Sequence, residues 1–254
     1  MARTDVIHLT KTFNKSKKCW IDPQTGKETA LEGAVAGYFR QRGFHVPYNE
    51  AIGKQIGGDS GFYWCILNSC LLAVMFENYD HRNPLHKNVF EDIFTGLRLR
   101  RFAMPSVRNP VTGKVTEMAR IDDHEAAVAG AAQRSVDAIE RNLKAIVPKY
   151  LSKYKVPRTC FGEDLTPSRM VESILPVFES LGLEMLLALQ VYRSEKNFAV
   201  EGRGWPDLAV WNSKDFAFVE VKGPNDRLQA HQRARLEEIN ALGISAYTLN
   251  VKSA

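Results

Sequence analysis

The chain has 254 residues, of which 44% are hydrophobic and 25% are charged, and its formal net charge is +5. This composition is ordinary for a globular protein and excludes a disordered or collagen-like chain. The mild basic excess permits a nucleic-acid partner but does not prove one. The four cysteines form no CxxC pair, so we expect reduced thiols in an intracellular protein.

The first part of the chain is polar and then becomes helical. Residues 1–28 are rich in turn-forming residues, and we expect a mobile polar arm or small hairpin. Thr29 and Glu32 have capping-box spacing, which predicts a helix from there to about Gly43. Residues 62–76 are apolar but too few for a bilayer, which needs about 20. They predict a buried helix, and we expect no membrane association.

The middle of the chain reads as helices broken by prolines. Between about 80 and 160 we expect the prolines, Pro148 among them, to separate helical stretches. Apolar residues at helical spacing from Val136 to Val147 predict one helix. Residues 168–192 predict a further helical pair, broken at Gly182.

A basic segment lies within this middle part. From Arg141 to Arg158 there are six basic residues and no acidic one, with Tyr150 and Tyr154 between them. Basic groups beside aromatic rings suit a groove for a nucleic-acid strand. A solvated helix face with inward-packed tyrosines explains the pattern equally well. The N-terminal lysines from Lys11 to Lys18 are interpreted as part of the mobile arm.

The most informative segment is a predicted β-hairpin near residue 210. Asp207 opens a short apolar strand, residues 212–215 have turn chemistry, and residues 216–221 are rich in β-formers. Since strand residues alternate faces, Glu220 and Lys222 project on the same side. Two carboxylates on neighbouring strands suit Mg²⁺ or Mn²⁺, and the ammonium group can hold a water or offset phosphate charge. After it, residues 228–241 predict a helix with Ala234 on its buried face, and residues 244–251 predict a last strand.

These motifs resemble a known family of nucleases. The run from Gly204 to Ser213 and the run from Val219 to Leu228 are similar to the virus-type replication-repair nuclease (VRR-NUC) domain of the PD-(D/E)xK superfamily. The nearest form is the nuclease domain of the Fanconi-anaemia-associated type. The resemblance implies an α/β fold with a restriction-endonuclease-like core, a small mixed sheet flanked by helices. It further implies a nuclease domain over 29–254 that contains a large helical insertion at about 80–165.

The resemblance also implies roles for individual residues. Lys222 would be the catalytic lysine, and Gln232 on the following helix would orient the site or touch phosphate. One or two Mg²⁺ or Mn²⁺ ions would be held by Glu50, Asp207, Glu220 and the carbonyl of Val221. Backbone contacts to DNA would come from Arg227, Lys144, Lys149, Lys153 and Lys155.

The identity of the first acid stays open at this point. Glu50 lies where the Fanconi-associated type carries its first metal-binding glutamate, but Gly57 and Gly58 add residues between it and the buried helix. Glu32 is the alternative, because simpler family members place an acid on the opening helix. A purely structural role for Glu32 in the capping box is equally compatible with the sequence.

The resulting functional expectation is a metal-dependent, structure-specific DNA nuclease of the 5′-flap and 5′-exonuclease type. Its partner would be branched, flap or end-containing DNA, and the helical insertion favours a monomer over a homodimer. A dimeric junction-resolving or restriction-like endonuclease is one alternative, and a non-enzymatic DNA-end-binding module is another. We expect it in the cytoplasm or nucleoid of a prokaryotic or viral host, or in a eukaryotic nucleus.

Overall fold

A computed structural model describes most of the chain. Its described residues are 3–17, 19–21, 26–48, 66–84, 86–87, 107–108, 115–116, 135–154, 166–195 and 205–253.

The centre of the described structure is a small mixed sheet. Its strands run in the order β1-β9-β8-β7. Strands β1, β9 and β8 are parallel to one another, and β7 is antiparallel to β8. The bounds are Thr4–Leu9 for β1, Leu208–Trp211 for β7, Phe216–Lys222 for β8 and Ala246–Ser253 for β9. The predicted hairpin and last strand are confirmed.

The sheet has two apolar faces, and each is covered. Val219 and Val221 of β8 pack with helix α1 (Leu31–Arg40) in one core cluster. Phe218, which alternates with them, belongs to a second cluster with the other helices. The bounds of those helices are Asn68–Met75 for α2, Val136–Tyr154 for α3, Pro167–Ser180 for α4, Gly182–Glu195 for α5 and Ala230–Ala241 for α6. The predicted arrangement of a small mixed sheet between helices is confirmed.

Short strands complete the described structure. Strands β2 (Thr12–Asn14), β3 (Cys19–Ile21) and β4 (Glu28–Thr29) form an antiparallel sheet. Strands β5 (Val107–Arg108) and β6 (Val115–Thr116) form an antiparallel pair.

The expectation of a mobile N-terminal arm is wrong for the described residues, whereas the alternative of a small hairpin agrees with the antiparallel pairing of β3 and β4. Residues 4–9 are an edge strand of the main sheet, and residues 12–29 contribute the small antiparallel sheet. Lys17 is tied to this sheet by an ion pair of 2.5 Å with Glu28. The polar composition misled because an edge strand needs apolar residues on only one face, as Ile7 and Leu9 show.

Three local predictions also need correction. Thr29 does not cap α1: it ends β4, and Ala30 is the N-cap without a side-chain hydrogen bond. Pro148 lies inside α3 instead of separating two helices. Ala234 is exposed, and the buried face of α6 comes from Arg235, Leu236 and Ile239.

Other helical predictions are confirmed. The pair α4 and α5 meets at Gly182, whose φ of +75° suits glycine. The buried helix predicted over 62–76 is confirmed from Asn68 to Met75, and its first residues lie outside the described part. None of the described helices combines the length and the apolar character that crossing a membrane requires.

Candidate active site

Asp207 is fixed to the sheet at the point where β7 begins. Its Oδ2 accepts a hydrogen bond of 2.8 Å from the backbone N–H of Val221 on β8. The pairing of Leu208 with Val219 places Asp207 beside Glu220 one step further along the hairpin. The turn between β7 and β8 sets this pairing of the two strands. In it, Asn212 Oδ1 accepts hydrogen bonds from the N–H groups of Lys214 and Asp215 at 2.8 Å each.

Glu220 is the most deeply buried acid of this region, with 1% of its surface exposed. Its Oε1 accepts two hydrogen bonds, from Lys222 Nζ at 2.6 Å and from Gln232 Nε2 at 2.5 Å. Its Oε2 is also buried, and no described residue donates to it. One oxygen of this carboxylate is therefore held in place, and the other is available to a ligand.

Lys222 shares the face of Glu220, as the strand period predicts. The lysine is only 8% exposed and forms a buried ion pair with Glu220. A buried ammonium group is costly unless it is paired. The ion pair with Glu220 therefore holds the ammonium group of Lys222 at the site.

Gln232 is the link between helix α6 and the sheet. Its Oε1 accepts from the N–H of Gln229 at 3.0 Å in a capping box, while its Nε2 donates to Glu220. Both ends of the amide are used, which defines its orientation. That Gln232 orients the site for catalysis or touches phosphate stays a prediction.

A second contact anchors the same helix. Arg235 is buried, donates to the Tyr192 hydroxyl at 2.5 Å and lies 5.2 Å from the ring centroid of Trp205. Trp205 stands two residues before Asp207. Helix α6 therefore contacts the segment of the first carboxylate through Arg235 and the second carboxylate through Gln232.

The pKa values of both carboxyl groups are shifted by opposing effects. Burial, and then the charge of Glu220, raises the pKa of Asp207 to about 8, although the Val221 N–H acts in the opposite direction. Burial also raises the pKa of Glu220, while Lys222 lowers it. When both acids are ionised, two buried carboxylates beside one lysine leave an excess of negative charge. A cation would relieve it.

The structure bears on the two alternatives for the first acid. Glu32 lies in the first turn of α1, and its charge raises the pKa of Asp207 further. Because Thr29 is not the N-cap, the capping-box role of Glu32 is wrong. Glu50 lies outside the described residues. Within the described ranges, no group of three His, Cys, Asp or Glu side chains forms a complete metal site.

A tight turn closes the site after β8. The N–H of Gly223 donates to Asp226 Oδ2 at 2.9 Å, and the N–H of Asp226 donates back to the Gly223 carbonyl at 3.1 Å. Asn225 takes φ +72° there. A Cβ on Gly223 would stand 3.2 Å from Leu31 Cδ2 at the start of α1. This glycine therefore lets the turn approach the helix that carries Glu32.

The predicted DNA-contacting side chains are described only in part. Lys144, Lys149 and Arg227 are exposed, and Lys144 pairs with Glu140 at 2.5 Å. The side chain of Lys153 and all of Lys155 lie outside the described part. Tyr150 is buried in the helical core. A base-stacking role for Tyr150 is therefore wrong, and the interpretation of an inward-packed tyrosine holds.

Sequence reasoning missed one buried polar residue that lies beside Glu220 on the neighbouring strand. Thr248 of β9 pairs in register with Glu220 and is buried. A parallel pairing across strands is not a local property, so no spacing along the chain signalled it.

Short segments of known proteins match this chain. Human Fanconi-associated nuclease 1 is 50% identical over 50 residues, which are 19% of this chain and 5% of that protein. Its homolog from Caenorhabditis briggsae is 33% identical over 85 residues, which are 33% of this chain and 10% of that protein. The matched part thus spans a tenth or less of these relatives.

Solved structures match over a longer range but with less similarity. A crystal structure of paFAN1 bound to 5′-flap DNA with a one-nucleotide flap and a gap has a TM-score of 0.44 and 18% identity. The match covers 99% of this chain and 38% of that one. The same protein with a two-nucleotide flap has a TM-score of 0.45 and 19% identity, over 98% and 38% of the two chains.

The family comparison covers the catalytic hairpin and the elements around it. The family model of the VRR-NUC domain matches residues 143–253. This range includes Asp207, Glu220, Lys222 and Gln232, which the structure brings together. The resemblance inferred from the hairpin motifs is confirmed, and residues 143–253 of this chain are similar to the VRR-NUC domain.

Proposed function

We propose that this protein is a divalent-metal-dependent nuclease that hydrolyses phosphodiester bonds in DNA. The observation that carries the proposal is the meeting of Asp207, Glu220 and Lys222 at one end of the sheet. The relatives that match part of this chain are named as nucleases, which supports the same reaction. A preference for 5′ flaps and 5′ ends is the finer part of the proposal.

The donor set fits a hard divalent cation, either Mg²⁺ or Mn²⁺. Asp207 and Glu220 provide carboxylate oxygens, and Glu220 keeps one oxygen to which no described residue donates. The Val221 carbonyl would be a further ligand, with Glu50 or Glu32 as the first acid. A bound cation would offset phosphate charge and lower the pKa of a water.

The protein's own groups would orient the reaction. Lys222, held by Glu220, would position the attacking water or stabilise the phosphate under attack. Gln232 would keep Glu220 in one orientation while its other amide end remains on the capping box. Neither side chain needs to rearrange to take these roles.

DNA would be bound through its backbone. Arg227 lies between the turn after β8 and the start of α6, and its side chain is exposed. Lys144 and Lys149 are exposed on α3, and Lys153 and Lys155 would extend this basic segment. Contacts of this kind position DNA without reading its bases. We place the protein inside the cell, in keeping with the free thiols of Cys19 and Cys70.

The test is cleavage of a panel of labelled DNAs with Mg²⁺ or Mn²⁺, comparing 5′-flap, nicked, single-stranded and four-way substrates. We expect cutting of the flap and 5′-end substrates, no cutting with EDTA, and loss of cutting in Asp207→Ala. Binding without cutting by the unaltered protein would favour a DNA-end-binding module. Preferential cutting of four-way DNA by a dimer in light scattering would favour a junction-resolving enzyme.

A further inference from the structure

One row of side chains crosses the main sheet at the active site. Strand pairing aligns Glu220 with Thr248, and Thr248 with Thr4. At its other end the row continues to Asp207, one step beyond the pair Leu208 and Val219. Two acids are therefore followed along the row by two hydroxyls.

Thr248 faces the same side of the sheet as Glu220. Ala246, two residues earlier in β9, shares a core cluster with Phe218 of β8, while Leu249 lies in the opposite cluster with Val219. Residues two apart in a strand share a face, so Thr248 lies on the side of Phe218 and Glu220. Adjacent strands are about 4.8 Å apart, which makes these two side chains direct neighbours.

Both neighbours have an unused polar atom. Thr248 is 3% exposed, and its Oγ1 is buried with no hydrogen-bond partner among the described residues. Glu220 Oε2 is in the same situation. Buried polar atoms are rarely left unsatisfied, and two adjacent exceptions at a functional site call for a shared explanation.

We propose that Thr248 is a positioning residue of the cation site. Its hydroxyl supplies a hydrogen bond to the Glu220 carboxylate through one bridging water and holds that group ready for a divalent cation. Lys222 and Gln232 fix the first oxygen of Glu220, and Thr248 steadies the carboxylate from the neighbouring strand. This inference rests on the proposed metal-dependent function.

The test compares Thr248→Val, which keeps the shape of the side chain but removes the hydroxyl, with Thr248→Ser, which keeps the hydroxyl. Mn²⁺ binding is measured by calorimetry, and the melting temperature is measured with EDTA and with Mn²⁺. Loss of an outer hydrogen-bond partner typically weakens metal binding by about 10–100-fold. We expect such a loss in Thr248→Val and near-complete recovery in Thr248→Ser.

The melting temperatures separate this role from a merely structural one. Thr248→Val should melt in EDTA no lower than the unaltered protein, because valine buries no unsatisfied hydroxyl, yet Mn²⁺ should raise its melting temperature less. Leu249→Val is the control on the same strand and the opposite face, and should leave Mn²⁺ affinity unchanged.

Two negative outcomes have different meanings. If the unaltered protein binds Mn²⁺ and Thr248→Val binds it equally well, the role of Thr248 is refuted and the metal site stands. If the unaltered protein binds neither Mn²⁺ nor Mg²⁺, the proposed function itself fails. A lower melting temperature of Thr248→Val in EDTA with an unchanged Mn²⁺ effect would make Thr248 a packing residue and overturn the inference.

Discussion

Asp207 and Glu220 meet in a place that is unfavourable for two negative charges. Burial raises the pKa of both, and the charge of Glu220 raises the pKa of Asp207 further, whereas Lys222 and a hydrogen bond with Asp207 lower the pKa of Glu220. Lys222 compensates one charge through its 2.6 Å contact with Glu220. The protein therefore retains an electrostatic imbalance that suits a cation-binding site, and it contributes to the pH dependence of stability.

The first prediction concerns stability and pH without metal. The pKa of Asp207 is raised to about 8, so in this region the folded protein binds more protons than the unfolded chain. Its stabilising contribution is complete below pH 4 and is lost as the pH rises towards 8. We expect the free energy of unfolding in EDTA to fall over this range, by at most about 1.4 kcal/mol per pH unit. Urea unfolding at several pH values measures it.

Asp207→Asn is the matched variant for that experiment, because its side-chain oxygen can still accept from the Val221 N–H. The fall in stability between pH 4 and 8 should shrink in this variant. An unchanged slope would show that the Asp207 carboxyl does not titrate in that range. Saturating Mn²⁺ should flatten the slope of the unaltered protein.

The second prediction separates the contribution of Lys222 to DNA cleavage from the binding of the metal. Lys222→Met removes the ammonium group and keeps the length of the side chain. We expect DNA cleavage to fall by about 10²-fold or more, since the positioned group is lost, while Mn²⁺ binding persists or strengthens. Single-turnover cleavage and Mn²⁺ calorimetry check the two parts. Cleavage within a few-fold of the unaltered protein at saturating Mg²⁺ would remove Lys222 from the catalytic set.

At the scale of the elements, buried amides hold the helical layer together. Asn142 of α3 donates to the carbonyls of Ala73 and Phe76 at 2.9 and 2.7 Å, and accepts from the N–H of Tyr79 at 2.9 Å. These bonds satisfy backbone groups at the end of α2 and just after it. A single side chain thus joins two helices far apart in the chain.

The third prediction is that Asn142→Leu destabilises the fold without touching the site. Three buried backbone groups would lose their partner, at a net cost of about 3 kcal/mol in total. The melting temperature should fall by roughly 6–12 °C, while Mn²⁺ affinity at 20 °C stays unchanged. Glu140→Gln on the same helix is the control, since it removes only a surface ion pair with Lys144. Equal melting temperatures for the two variants would contradict this role of Asn142.

Elements with a strong local signal could be predicted from sequence. The hairpin follows from its β-formers and from the turn at Asn212, and the α4–α5 pair follows from helical spacing and Gly182. Asp207, Glu220 and Lys222 were accessible for the same reason, because their residue types and spacings suggest the chemistry, whereas Gln232 was accessible only through the resemblance to the nuclease family. All four lie within one short stretch of the chain.

What sequence could not predict depends on partners far along the chain. Strand β1 is recognised only through its parallel pairing with β9, and Thr248 matters only through its register with Glu220. The cap of α1 was misassigned because Thr29 serves in β4, where tertiary pairing outweighs a local capping preference. The same limit applies to Asn142, whose partners precede it by more than 60 residues.

At the scale of the molecule, the main sheet lies between α1 on one face and the helical layer on the other. Trp211 ties the sheet to that layer, since its Nε1 donates to the Ser173 carbonyl of α4 at 2.8 Å. The hairpin of β7 and β8 is thus supported from both sides. Its outer support along the sheet is β9, which in turn is covered by β1.

The fourth prediction tests that cover. Removing residues 1–9 deletes β1 and turns β9 into an open edge, so we expect a lower melting temperature and a greater tendency to aggregate. Scanning calorimetry and light scattering measure the two effects. Val6→Ser, at an exposed position of the same strand, should leave both unchanged. A truncated protein as stable as the full chain would restore the interpretation of this segment as a mobile arm.

The row that joins Thr4, Thr248, Glu220 and Asp207 has a consequence for biosynthesis. The hairpin can form as soon as it is made, but it ends at Lys222 and β9 begins only at Ala246, and β9 must also pair with β1 from the other end of the described structure. Long-range parallel pairings of this kind form slowly. The two acids therefore reach their buried setting only after β9 has emerged from the ribosome, and we expect the cation site to be incomplete until then.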